Sequence, residues 1–394
     1  MENKLSSIYT KKQRRIIGLM SGTSLDGLDV AICHIAGFGE KTDCFLEYHT
    51  TIPYLPSFKK SIQKVFAKKK IDFSHLCQLN AFLGNWYAEQ INLILSDQKI
   101  RPDKIDLIAS HGQTVQHIPH PTPFYNRPST LQIGDADHLA LKTGIITFSD
   151  FRQKNIAAGG EGAPLAVYGD KILYSSQTET RVLVNLGGIA NFTFLPKNNT
   201  KNFEITTDTG PANTLIDQYC KKHLHISHDK GGAMALQGKV NTILLKECKL
   251  HPFFQKSVPK STGQETFHLG WIEEIMKTNH LSFLPHEDIL TTLSQLTVET
   301  LCEEITKVTK NNPFSVYVSG GGSHNKYIMS GITKYFMSNK VETIDVLGMP
   351  SEAKEAVIFA ILANEALFKI HNPPKISAAP KSIEVSLGKI SFPW

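Results

Sequence analysis

Short blocks of apolar residues recur along the chain, and glycine clusters break them in a repeated way. Arg14–Ile35 reads RRIIGLMSGTSLDGLDVAICHI, with apolar runs at Ile16–Met20 and Leu28–Ile35 on either side of the polar loop Ser21–Gly27. Branched residues flanking a glycine-rich turn predict a β-hairpin, and Cys44–Pro53 (CFLEYHTTIP) predicts a third strand completing a meander. Arg181–Leu195 (RVLVNLGGIANFTFL) repeats the hairpin around Gly187 and Gly188. At Ser315–Asn325 (SVYVSGGGSHN) a strand meets a third turn, Gly320, Gly321 and Gly322, which leads into a helix.

Helical spacing marks Ser74–Leu95, with Ser74 as N-cap, and also Asp135–Lys142, Asp288–Lys310 and Ser351–Lys369, the last with Glu352 and Glu355 in its first turns. Asp106–Ser110 reads as a short buried strand ending at His111-Gly112-Gln113-Thr114-Val115-Gln116-His117. That puts polar side chains beyond the strand's carboxyl end, the edge where open α/β sheets bind ligands. Ser129–Gly134 and Ile145–Asp150 are further strands, residues 1–13 read as a loose tail, and His251–Trp271 reads as a long loop of the kind that is usually functional.

At 394 residues the chain exceeds the size of a single core, so two domains are expected. No run approaches the ~18 apolar residues of a bilayer span, and the polar, basic N-terminus lacks the apolar stretch of a secretory signal. The six cysteines (Cys33, Cys44, Cys77, Cys220, Cys248, Cys302) form no CxxC pair, which argues against a disulfide framework or a cysteine zinc site and for a cytoplasmic location. A net charge of +6, with short basic runs that lack interleaved aromatics, argues against a nucleic-acid partner.

Three stretches carry candidate chemistry. The loop after Met20 is rich in hydroxyls and N–H groups that suit phosphate oxygens, and Asp26 and Asp29 can hold Mg²⁺ through water; taken alone, it also reads as an ordinary turn. Asp150 ends an apolar strand beside Phe151-Arg152 and the glycine-rich run Ala157–Pro164, which suits a general base or, equally, a cap or a partner of Arg152. Asp208 and the amides of Thr209–Asn213 can serve an anion or a plain N-cap. His111, His117 and His120 fit no usual metal-ligand spacing.

Two phosphate-type hairpins followed by a strand–GGG–helix resemble the sugar kinase/Hsp70/actin superfamily. The resemblance implies an α/β fold of two actin-like (ribonuclease H-like) lobes with a nucleotide cleft between them: residues 1–140, completed by 352–394, and residues 141–351. At finer grain, GLMSGTSLDGLD, HGQTVQH, STLQIGDAD, SDFRQKNIAAGGEGAPL, NLGGIANFT, DTGPANTLID, PKSTGQETF and SGGGSHN closely resemble the anhydro-N-acetylmuramic acid kinase family over about residues 15 to 370. This implies a homodimeric ATP- and Mg²⁺-dependent kinase acting on 1,6-anhydro-N-acetylmuramic acid in peptidoglycan recycling. Such a kinase cleaves the anhydro bridge with water and yields N-acetylmuramic acid 6-phosphate and ADP.

Carried over by motif, Asp150 is the catalytic base and Gly22, Thr23, Ser24, Leu25, Asp26, Gly27, Leu28 and Asp29 form the ATP loop. Gly187, Gly188 and Gly320–Gly322 complete the nucleotide site, and the candidate substrate ligands are His111, Gln113, Arg152, Gly160 and Glu355. Two departures stand out: Glu161 where the family has Gln, and Ala212 where it has Gly. The rival readings are a kinase for another sugar or carboxylate, and a nucleotide-gated binding protein of the Hsp70/actin kind.

Overall fold

The computed structural model describes residues 2–22, 25–118, 124, 127–160, 162, 165–197, 204–263, 266–310, 312–372 and 386–394. Two compact units are present: Met1–Leu173 with Glu352–Trp394, and Tyr174–Ser351. Among the described residues, the first unit holds β1 (Gln13–Ser21), β2 (Gly27–Ala36), β3 (Asp43–Pro53), β4 (Leu107–Ile118), β5 (Ser129–Ile133) and β6 (Thr147–Ser149). The second holds β7 (Arg181–Leu186), β8 (Ile189–Leu195), β9 (Ile205–Pro211), β10 (Ser315–Ser319) and β11 (Lys340–Thr343), and β12 (Lys389–Ser391) returns to the first.

The first sheet runs β12-β6-β4-β1-β2-β3 with β5 beside β4, and the second runs β11-β10-β7-β8-β9. In the first, β1–β2 and β2–β3 are antiparallel while β1–β4 and β4–β6 are parallel. In the second, β7–β8 and β8–β9 are antiparallel while β7–β10 and β10–β11 are parallel. A meander extended on its first strand by two parallel strands is therefore built twice. This is the order of an actin-like, ribonuclease H-like lobe. The boundary expected at residue 140 is corrected to residue 173, because β6 pairs with β4 and β12 and keeps residues 141–173 in the first unit.

Strand β1 is buried on both faces, which is why it reads as a nearly unbroken apolar run. One face meets the helix Phe73–Asp97 through Leu79, Leu83, Tyr87 and Ile91, packed in one cluster with Ile17, Leu19, Val30 and Ile32. Against the helix Lys354–His371 the backbones nearly touch: a Cβ on Gly18 would lie 1.8 Å from the Ala356 carbonyl oxygen, so only glycine fits there. That helix is buried nearly all round, as a helix enclosed by its unit must be. Among the described residues no helix is long and apolar enough to cross a membrane.

Several local expectations are corrected. Asp72, not Ser74, caps the first long helix, accepting from the Ser74 and His75 amides at 2.9 and 3.2 Å. Residues 1–13 are not a loose tail: Glu2–Tyr9 is a helix, Ile8 is buried, and Tyr9 stacks on His371 with ring centroids 4.2 Å apart. HGQTVQH is not a loop beyond a strand but part of β4, because residues 113–118 pair antiparallel with β5. His251–Trp271 is partly structured, with a helical turn at Pro252–Gln255 that puts Phe253 into the core against Phe267.

Candidate active site

Asp150 follows the last residue of β6 with a left-handed φ of +57°, a conformation uncommon for a non-glycine residue. Its carboxylate is about one quarter exposed and pairs with the ammonium of Lys389 on β12. Two residues on, the Arg152 guanidinium donates from Nε to His111 Nε2 at 3.0 Å and from one terminal nitrogen to the Gly162 carbonyl at 2.7 Å. Desolvation lowers the Arg152 pKa, and the negative charge of Glu355 opposes that shift.

Burial, and then the positive charge of Arg152, lower the His111 pKa to about 3. The ring is therefore neutral. Because Nε2 accepts from Arg152, the proton sits on Nδ1, which is enclosed beside the backbone of Gly112 and Ser21, whose interactions with the ring oppose the shift. Glu355 is open to solvent, yet desolvation by the surrounding protein raises its pKa, as does Asp29, while Lys354 and Arg152 lower it. Lys354 itself forms a 2.9 Å ion pair with Asp170, both largely buried. Gly160 belongs to a loop organised by Asn155, whose backbone carbonyl accepts from the Gly160 amide and whose side chain accepts from the Gly162 amide.

The first hairpin departs from its reading as a continuous ligand loop. Thr23, Ser24 and Glu161 lie outside the described residues. Leu25 and Leu28 send their side chains into the core, so only their backbone can meet a nucleotide, and Gly27–Asp29 already belong to β2. Asp26 is exposed and lies 3.4 Å from Lys59. Asp29 accepts from the Thr51 hydroxyl at 2.6 Å; burial raises its pKa, and the charges of Glu352 and Asp26 add to that. No group of three or more His, Cys, Asp or Glu poised for a metal occurs among the described residues. Asp26 and Asp29 are the carboxylates of this hairpin, and hard oxygen donors of that kind suit Mg²⁺ bound through water.

The second hairpin makes its turn at Gly187-Gly188. The Asn213 amide donates to the Leu186 and Gly187 carbonyls at 3.0 and 2.8 Å, and the Ala212 amide donates to the Gly188 carbonyl at 2.9 Å. In a trans peptide the N–H opposes the preceding C=O. The Gly187 and Gly188 N–H groups therefore point away from the helix start. Ala212 has φ −113°, outside the left-handed region, so the family's glycine is not required by φ. Gly320–Gly322 packs on the same hairpin: a Cβ on Gly322 would lie 2.6 Å from that of Leu186.

Of the expected substrate ligands, the first unit brings His111 and Glu355 into the electrostatic neighbourhood of Arg152, which follows Asp150 by two residues. It withdraws Gln113, which is fully buried with its amide committed to Ser21, Gly22 and Thr114. Sequence reasoning missed Lys389, Lys354 and Asn213. Only Asn213 had a local signal, its place at a helix start just after a glycine-rich strand end.

The family description for anhydro-N-acetylmuramic acid kinase matches residues 14–393. A protein of Pseudoalteromonas atlantica named anhydro-N-acetylmuramic acid kinase is 44% identical over 100% of both chains. One of that name from Pseudoalteromonas translucida is 43% identical over 99% of this chain and 98% of its own. Another from Caldanaerobacter subterraneus is 38% identical over 99% of this chain and 100% of its own. The chain belongs to the anhydro-N-acetylmuramic acid kinase family.

Proposed function

We propose that this chain is an ATP-dependent kinase that hydrolyses the 1,6-anhydro bridge of anhydro-N-acetylmuramic acid and phosphorylates O6, in peptidoglycan recycling. The observation that carries the reading is full-length kinship with proteins of that name in a chain that keeps a solvent-reached carboxylate, Asp150, at a strand end. Asp150 takes a proton from a water molecule as that water attacks C1. The C1–O6 bond breaks, O6 bonds to the γ-phosphorus, and the bond from that phosphorus to the β–γ bridging oxygen breaks to release ADP. Lys389 holds the carboxylate in place. Arg152, steadied by His111, acts with Glu355 and the Gly160 loop to orient the sugar, the guanidinium providing positive charge for an acidic substrate.

The backbone of Gly22–Asp29, the Gly187 and Gly188 N–H groups and Gly320–Gly322 serve the nucleotide, so catalysis is mainly positioning and charge neutralisation. Asp26 and Asp29 would hold Mg²⁺ through water, and the bound ion would supply neutralisation of the phosphate charge. The proposal includes a homodimer and a cytoplasmic location, which the kinship suggests.

The test compares ADP release with anhydro-N-acetylmuramic acid, N-acetylmuramic acid and N-acetylglucosamine in ¹⁸O-water. The expected result is turnover with the anhydro sugar and label in the sugar product but not in its phosphate. A time course with unlabelled N-acetylmuramic acid 6-phosphate corrects for exchange at the reducing end. Faster turnover of free N-acetylmuramic acid would make the protein an ordinary sugar kinase, and ADP release indifferent to all three sugars would remove the kinase reading.

A further inference from the structure

We infer that Gln113 is a positioning residue for the first glycine-rich loop, and through it for the nucleotide, instead of a ligand of the sugar. The inference rests on the kinase reading only in supposing that this loop meets a nucleotide.

The backbone sets up the arrangement. β4 runs parallel to β1 with Leu19 opposite Ser110, but Ser21 is then opposite Gln113, so β4 carries one extra residue. Gly112 absorbs it at φ +75°, where a Cβ would lie 2.7 Å from the Ile133 carbonyl oxygen. A bulge re-aims the side chain that follows it. Here it turns Gln113 toward the end of β1, where Gln113 is 0% exposed.

Its polar atoms are then spent on the loop's entry. Oε1 accepts from Ser21 Oγ at 2.5 Å, while Nε2 donates to the Gly22 carbonyl at 3.3 Å and the Thr114 carbonyl at 3.1 Å. A hydroxyl has one proton to give. Ser21 gives its proton to Gln113, so in its 2.6 Å contact with Tyr54 it accepts. Tyr54, its proton used on Ser21, accepts in turn from Tyr87 at 3.4 Å. The relay therefore has one direction, Tyr87 to Tyr54 to Ser21 to Gln113 to the Gly22 carbonyl. Burial raises both tyrosine pKa values, which keeps the hydroxyls protonated and the relay intact at neutral pH.

Gly22 O also accepts from the Leu25 amide at 3.3 Å, so the relay ends on the carbonyl that closes the loop's turn. Both Nε2 protons are committed, and Oε1 is enclosed. Nothing on Gln113 remains to bind a sugar.

The experiment uses the full-length protein and measures binding of a non-hydrolysable ATP analogue and of anhydro-N-acetylmuramic acid by calorimetry, together with KM for each and kcat. Gln113→Leu takes the acceptor from the buried Ser21 hydroxyl proton and one of two donors from the Gly22 carbonyl, and about tenfold weaker nucleotide binding is expected, with sugar affinity within about twofold. Ser21→Ala removes one oxygen from the same relay and gives about a threefold loss in the same direction. The double variant is expected to bind nucleotide no more weakly than Gln113→Leu alone, because both changes cut one chain. Weaker sugar binding with unchanged nucleotide binding would overturn the inference, as would equal losses of both or no loss of either. If Gln113→Leu does not fold, Ser21→Ala decides by the same criteria. A wild-type protein that binds no nucleotide would overturn the kinase reading as well, whereas a sugar-only defect in the variants overturns this inference alone.

Discussion

The two units build the same sheet order but differ in where some of their carboxylates are spent. In the second unit buried charges close on each other: Lys260 lies 2.8 Å from Glu304 with both side chains almost wholly enclosed, and Asp208 accepts from the Thr262 amide at 2.8 Å. The first unit closes a buried pair as well, Lys354 with Asp170 at 2.9 Å, but it leaves other carboxylates toward solvent. Glu355 is open to solvent with a raised pKa, and Asp150 keeps part of its surface exposed. The hairpins differ likewise: one is propped by a five-membered side-chain relay from Tyr87, the other by the Asn213 side chain together with the backbone amides of Ala212, Asn213 and Thr214. Repetition of a fold thus does not repeat its chemistry. Polar groups satisfied inside a unit stabilise it, and those left toward solvent are the ones a ligand can meet.

The sharpest break of this comparison is Asp150→Asn. The amide keeps the shape and most contacts while removing the base, so kcat is expected to fall by ~10²–10⁴-fold with nucleotide and sugar affinities nearly unchanged. Single-turnover kinetics alongside calorimetry checks this. If more than about a tenth of wild-type kcat remained, the first unit would not hold the base at this position.

Glu304→Leu probes the other side, where the pairing is internal. It leaves the Lys260 ammonium buried without its partner, and stability is expected to drop by about 3–5 kcal/mol. Lys260→Met with Glu304→Leu is expected to recover much of that loss, since two apolar side chains remove the desolvation cost along with the attraction. Below the melting transition both proteins are expected to keep wild-type KM values for nucleotide and sugar. A raised KM for either would show that Lys260, within the PKSTG motif, reaches beyond its own unit.

What the sequence made legible follows the range of the interactions. Both hairpins, the triple-glycine turn and the long helices were readable because alternation, helical period and turn glycines are local. The unit boundary was not, since it depends on β6 finding β12 at the far end of the chain. The same reason hid the N-terminal helix, which packs on His371, and the Lys389 partner of Asp150. Gln113 was visible as a polar residue after an apolar strand, but its direction depends on one extra residue relative to β1, which no pattern within β4 reveals.

Asn213→Ala tests whether the simpler support of the second hairpin matters as the relay does. It removes two donors from the Leu186 and Gly187 carbonyls, and nucleotide binding about tenfold weaker is expected, with sugar binding unchanged. Because Asn213 and Gln113 share no partner, their effects on nucleotide affinity are expected to add to within about 0.5 kcal/mol. Strong non-additivity in calorimetry would mean that the two supports act on one element instead of two.

The smallest effect concerns His111 and has a defined sign. Its folded pKa of about 3 lies below the ordinary 6.5, so the unfolded chain binds a proton over an interval in which the folded chain does not. Folding is therefore penalised as pH falls from about 6.5 toward 3, and the penalty disappears above that window. At pH 6 it amounts to about 0.8 kcal/mol. His111→Gln retains an oxygen able to accept from Arg152 and cannot titrate. The gap in unfolding free energy between variant and wild type is therefore expected to shift in the variant's favour by about that much between pH 8 and pH 6. Denaturant titrations at the two pH values measure it. Parallel pH dependences would mean that His111 takes up a proton in the folded protein near its ordinary pKa, and the neutral ring that accepts from Arg152 would then lose its basis.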